Sequence, residues 1–241
     1  MSNKHFSILI AFILFPVFGW MVYDSKVTSE EIRRQTGPRD VLLGTDGSMA
    51  QIQYLFHFTD PVYNHSLNTP QIENLSHDTG KGEHYHVYGL TQADYGTDTR
   101  YEVNWSKHWF KDEYDLWVEN LRVDFSYNAL NVFVTNVYPE ESCEYRETLA
   151  HENQHVEIHK KVYFQFQKTL QETLAGETTI PLSSRPILVA SVEEGKKKVG
   201  TVISGLIQPV FDQFKETLAD EQAKIDTPES YERLKQSCSK W

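Results

Sequence analysis

His151-Glu152-Asn153-Gln154-His155 is the stretch of this sequence best equipped to do chemistry. On an α-helix, residues four apart share a face, so both imidazoles can reach one Zn²⁺ ion. Glu152 is turned about 100° from His151, close enough to meet a water that the ion activates without being a ligand itself. The metal makes that water acidic, and the carboxylate takes its proton as it attacks a carbonyl. With 10 His in 241 residues, chance places such a pattern in a chain like this far less than once. The spacing predicts a zinc-dependent hydrolase with His151 and His155 as ligands and Glu152 as general base. A bland reading also stands, in which the segment is a solvated polar patch or a site that kept its motif and lost its activity.

A third ligand is needed. His159 continues the i, i+4 series but lies about 12 Å along the axis from His151, too far for one ion, and is read as a satisfied core histidine. A later helix offers acids: Asp212 and Glu216 oppose its apolar face, whereas Glu221 falls on that face between Leu218 and Ile225. Glu221 is therefore the chosen third ligand, against the reading of a rim carboxylate paired with a Lys. His84 and His86 are two apart on an expected strand, so they share a face; they could form a second metal site or act near the first, and are read as a surface pair. Tyr138 and Tyr145 flank the motif and could stabilise an oxyanion, but so near a helix start they are read as packing.

These groups need a scaffold. Gln51–Phe58, His84–Leu90, Tyr101–Trp105, Leu121–Tyr127 and Asn131–Tyr138 alternate and are rich in β-branched and aromatic residues, which predicts strands. Asn128-Ala129-Leu130 would close the last two as a hairpin, and Asn64–Gly82 reads as a long loop. After Pro139 the period becomes 3.6, with a stripe of Tyr145, Leu149, Val156, Tyr163, Phe166, Leu170 and Leu174 ending at Gly176. A second helical stretch runs from about 190 to 226, with Gly200, Gly205 and Pro209 expected to break or kink it. Strands first and helices last make an α+β domain: a small, mostly antiparallel sheet, the long motif helix and a second long C-terminal helix.

The segments YHVYGLT at 85–91 and SCEYRETLAHENQHVEIH at 142–159, with the paired strands up to Tyr138, resemble the HExxH zinc metallopeptidases, the zincins. More narrowly they resemble an uncharacterised group of exported bacterial proteins predicted to be zinc proteases. The resemblance covers about a third of the chain, and HExxH is its one highly specific element. It implies a zincin-like fold, Zn²⁺ as cofactor and a peptide or protein substrate. It also implies that the strand before the motif helix, Asn131–Tyr138, is a sheet edge pairing with extended substrate. HExxHxxGxxH is absent, so metzincin ligation is not implied.

Composition sets the context. A net charge of -11 opposes binding to nucleic acid, and a mean hydropathy of -0.51 excludes a polytopic membrane protein. Phe6–Tyr23 is eighteen uncharged residues, spanning roughly 27 Å as a helix, near the thickness of a bilayer core. No small-residue cleavage site follows, so residues 1–26 read as a signal-anchor, with a cleaved signal peptide as the alternative. Residues 27–50 read as a tether and 51–241 as one metallohydrolase domain. The body is expected to be exported, facing the periplasm or extracellular space, or secreted if the segment is cut. Cys143 and Cys238 could pair in such a compartment or remain free thiols. The rival to a hydrolase is an envelope module in which the metal, or the HExxH helix itself, is structural.

Overall fold

The computed structural model describes residues 39–43, 50–77 and 88–238. Phe6–Tyr23, His84 and His86 lie outside them. Among the described residues there are six strands and four helices: β1 Arg39–Leu43, β2 Ala50–His57, β3 Val62–Asn64, α1 Thr69–His77, β4 Gly89–Lys107, β5 Tyr114–Val134, α2 Cys143–Ala175, β6 Ile187–Val189, α3 Val192–Ala223 and α4 Pro228–Ser237. No described helix is long and apolar enough to cross a membrane.

The sheet is organised around β5, whose 21 residues pair along their whole length with β4 in antiparallel register. Its other edge takes β6 antiparallel, then β2 and β3 parallel, with β1 antiparallel outside β2. The arrangement is α+β, with a mostly antiparallel sheet that takes β2 and β3 in parallel, and β1 lies inside the stretch read as a tether. The expected hairpin at Asn128–Leu130 does not form. Asp94 pairs with Ala129 and Tyr95 with Tyr127, so Asn128 is the extra residue of a β-bulge, and Glu119 makes a second one. Each bulge resets the period-2 phase: buried positions run 116 and 118, then 121 to 127, then 130 to 134. One bulged strand thus imitates two strands and a turn.

Asn64–Gly82 is likewise more than a loop, since it carries α1. Asn68 and Gln71 cap that helix reciprocally, each side chain bonding the other's backbone N–H at 2.9–3.0 Å.

α2 and α3 lie antiparallel on one face of the sheet. From α2, Val156, Val162, Tyr163, Phe166, Leu170 and Leu174 are buried, and from α3, Val199, Ile203, Ile207, Phe214 and Leu218. α3 runs unbroken through Gly200, Gly205 and Pro209. Pro209 costs about 3 kcal/mol in a helix interior. Each of the four buried side chains from Ile203 to Leu218 contributes roughly 1.5–3 kcal/mol, so burial wins. Gly205, whose carbonyl the proline ring crowds, is exposed with Pro209, so that carbonyl faces water. Gly195 and Gly200 serve close packing: an added Cβ would stand 2.5 Å from Leu116 Cδ1 and 2.7 Å from the Tyr101 hydroxyl.

His159 is a core histidine, its Nδ1 2.9 Å from the Tyr127 hydroxyl. Burial, aided by the charge of His155, pushes its pKa down to about 3. The unfolded chain therefore binds a proton that the folded chain refuses between pH ~6.5 and ~3, so His159 destabilises the fold progressively as pH falls through that window. Urea unfolding at a series of pH values should show a slope for wild type steeper than for His159→Gln by up to ~1.4 kcal/mol per pH unit there.

The chain beyond α3 forms α4, which the sequence reading did not anticipate. Thr227 caps it in a capping box with Ser230. Cys238, just past its end, is bonded to Cys143 at the start of α2, 95 residues away. Reduction, or Cys238→Ser, should lower unfolding stability by up to ~4–5 kcal/mol in the chain-entropy model, read as a drop in the denaturant midpoint.

Candidate metal centre

α2 carries the HExxH segment in its third and fourth turns. Ser142 caps it, accepting from Tyr145 N at 3.1 Å. The segment faces the end of the sheet where β4 begins, and α3 arrives from the opposite direction. The last turn of α3 and the connection to α4 therefore stand over the two histidines.

Three ligand atoms meet there. His151 Nε2 and His155 Nε2 are 3.2 Å apart. Asp226 Oδ1, from the α3–α4 connection, lies 3.1 Å from the first and 3.2 Å from the second. Ligands about 2.05 Å from one tetrahedral zinc are separated by about 3.3 Å, so these atoms already form one face of such a polyhedron. Asp226 Oδ2 is buried without a hydrogen-bond partner, a lone acceptor beside two imidazoles. The group His151, His155 and Asp226 can hold a metal ion.

Glu221 is elsewhere. Its carboxylate is bonded to Lys224 and, at 2.9 Å, to Lys161, the rim pairing named as its alternative. The antiparallel crossing sets Gln222, one position on and turned 100°, against His155. Gln222 Oε1 accepts from His155 Nδ1, and its amide donates to the His155 carbonyl at 3.3 Å. That bond holds the ring in the tautomer whose Nε2 is free to ligate. Sequence reasoning looked for the third ligand on the helix face, whereas Asp226 sits in the turn beyond it, where helical periodicity says nothing. The Thr227-Pro228 helix start, with an Asp just before it, was the available signal.

No family model, no curated protein and no solved structure matches this chain.

The site's own geometry therefore carries the chemistry. Glu152 is only 4% exposed and lies beside β4. Thr91 donates to Glu152 Oε2 at 2.9 Å, and a Cβ on Gly89 would come within 2.6 Å of Oε1, so only glycine leaves room for the carboxylate. Burial raises the Glu152 pKa, against the pull of His155, His151 and Thr91. Burial also works against ionised Asp226, but hydrogen bonds from His151 and His155 win and its pKa falls below the usual carboxylate range. For His155, burial opposes protonation, yet Asp226 and Glu152 outweigh it and the pKa rises. Two carboxylates and two imidazoles thus stand together in a dry space, an arrangement that one divalent cation would neutralise.

α4 closes the top. Tyr231 donates to Asp226 Oδ1 at 2.5 Å, and its ring lies 5.3 Å from that of His151. Tyr138 packs at a tilt against Tyr88, and Tyr145 meets His65 edge-on, as packing residues. The edge expected at Asn131–Tyr138 is not free, because residues 131–133 are paired with β3 on one side and β4 on the other. The strand next to Glu152 with no partner on its outer edge, among the described residues, is β4.

Proposed function

We propose that the protein is a zinc-dependent hydrolase, best described as a membrane-tethered, zincin-like metallopeptidase. The observation that carries this is the triangle of His151 Nε2, His155 Nε2 and Asp226 Oδ1 with a buried glutamate one residue from the first ligand. Two imidazoles and a carboxylate in tetrahedral spacing suit zinc better than hard cations, which favour all-oxygen shells. A zinc ion held there would supply a Lewis acid that polarises a carbonyl and makes water a nucleophile near neutral pH. Glu152 takes the proton of the attacking water and returns it to the leaving amine. Its raised pKa moves it toward the value that suits such a shuttle. Thr91 holds Oε2, and Gln222 and Tyr231 hold His155 and Asp226 in place. β4 offers an extended peptide the backbone groups of its outer edge, beginning beside Thr91.

The paired Cys143 and Cys238 suit an oxidising compartment, and Phe6–Tyr23 suits an anchor, which together favour a body outside the cytoplasm. A second reading, a structural metal site in an envelope module, is favoured by the closeness of the cover: His155 is 1% exposed and Tyr231 roofs His151. Metal content and proteolysis of wild type beside Glu152→Gln separate the two. A hydrolase loses activity and keeps metal, whereas a structural module behaves the same in both forms.

A further inference from the structure

At the other end of the sheet, the β4–β5 connection lifts two large rings into solvent. Trp109 is 89% exposed and Phe110 92%, with Trp105 half exposed two residues before the turn. His108 N donates to the Glu113 carbonyl at 2.9 Å, closing the turn, so the rings ride on a held hairpin apex. Nothing in the fold needs them, because a solvent-facing turn accepts polar residues. Adjacent, almost fully exposed Trp and Phe mark a contact surface. Trp is enriched where membranes meet water.

We propose that this apex docks in the interface of a lipid bilayer. Three observations select lipid. First, the chain contains an uncharged, span-length segment, Phe6–Tyr23, fifteen residues before β1. Those fifteen residues reach at most about 50 Å. β1 begins at Arg39, which is in register with Tyr54 and through it with Val123. From Val123 to the apex is roughly 40 Å along the strand, so one bilayer can hold both the segment and the apex. Second, the cations at the apex are neutralised locally, Lys107 by Asp112 at 2.8 Å and Lys111 by Glu113 at 3.6 Å. The apex thus offers rings with no net charge, which suits a zwitterionic surface. Third, the net charge of -11 opposes an anionic one. With Trp109 in the interface, Thr91 and Glu152 stand roughly 60 Å away along β4, so the metal centre faces soluble or projecting chains rather than lipid. This inference does not rest on the metal reading.

The test uses the full chain reconstituted in phosphatidylcholine vesicles, plain or with bromine on the acyl chains, as wild type and as Trp109→Phe. Phenylalanine keeps an aromatic ring at an exposed position, so both proteins fold, and the other tryptophans cancel in the difference emission. That difference, which belongs to Trp109, should be blue-shifted and should lose most of its intensity in brominated lipid. A difference emission indifferent to bromine overturns the proposal, whether it is red-shifted, as for a ring in water, or blue-shifted and growing with protein density, as for a ring against a second copy.

Discussion

Glu152→Gln is expected to keep its zinc, one ion per chain, and to lose ~10²–10⁴-fold in hydrolytic rate, the range for removing a general base. The substitution is nearly isosteric. Thr91 can still donate to the amide oxygen, so the contact at 2.9 Å survives. What disappears is the ability to take a proton from water. Because burial makes the ionised carboxylate costly, the neutral amide should leave folding stability unchanged or raised. A rate equal to wild type with zinc still bound would remove Glu152 from the mechanism and leave the structural reading.

Asp226→Ala should abolish stoichiometric zinc binding, with a loss larger than the ~10–100-fold typical of residues that only orient a ligand. The two imidazoles stay on α2, but two nitrogens alone do not close a site. Glu221→Ala is the matched control, as its carboxylate faces Lys161 and Lys224 and its loss should leave zinc content intact. Titrating metal into both variants by calorimetry reads the contrast directly. The opposite pattern, with zinc lost from Glu221→Ala and kept by Asp226→Ala, would overturn the ligand assignment.

The parts of this molecule legible in its sequence are those written in a single period. The motif helix from just after Pro139 to Gly176, the buried stripe through Val156, Tyr163, Phe166, Leu170 and Leu174, and the strand at 51–58 follow from spacing alone. So does the inward turn of Glu152. Where two signals overlap, the reading failed: Asn128 resembles a turn residue, yet it bulges inside one strand. Pro209 and its glycines resemble helix breaks, but tertiary burial on the opposite face outweighs a local cost of about 3 kcal/mol. The third ligand was out of reach for a different reason. Asp226 is placed by where α3 ends and by a disulfide that pins α4, and neither is a periodic property of the residues around it.

X-ray absorption at the zinc edge of the zinc-loaded full chain reads the ligand set itself. The spectrum should show one tightly held zinc with two imidazoles and oxygen neighbours at about 2.0–2.1 Å and no sulfur in the shell. A chain that takes up no zinc, or a shell whose imidazole signature persists unchanged in His151→Ala, would contradict the ligand assignment.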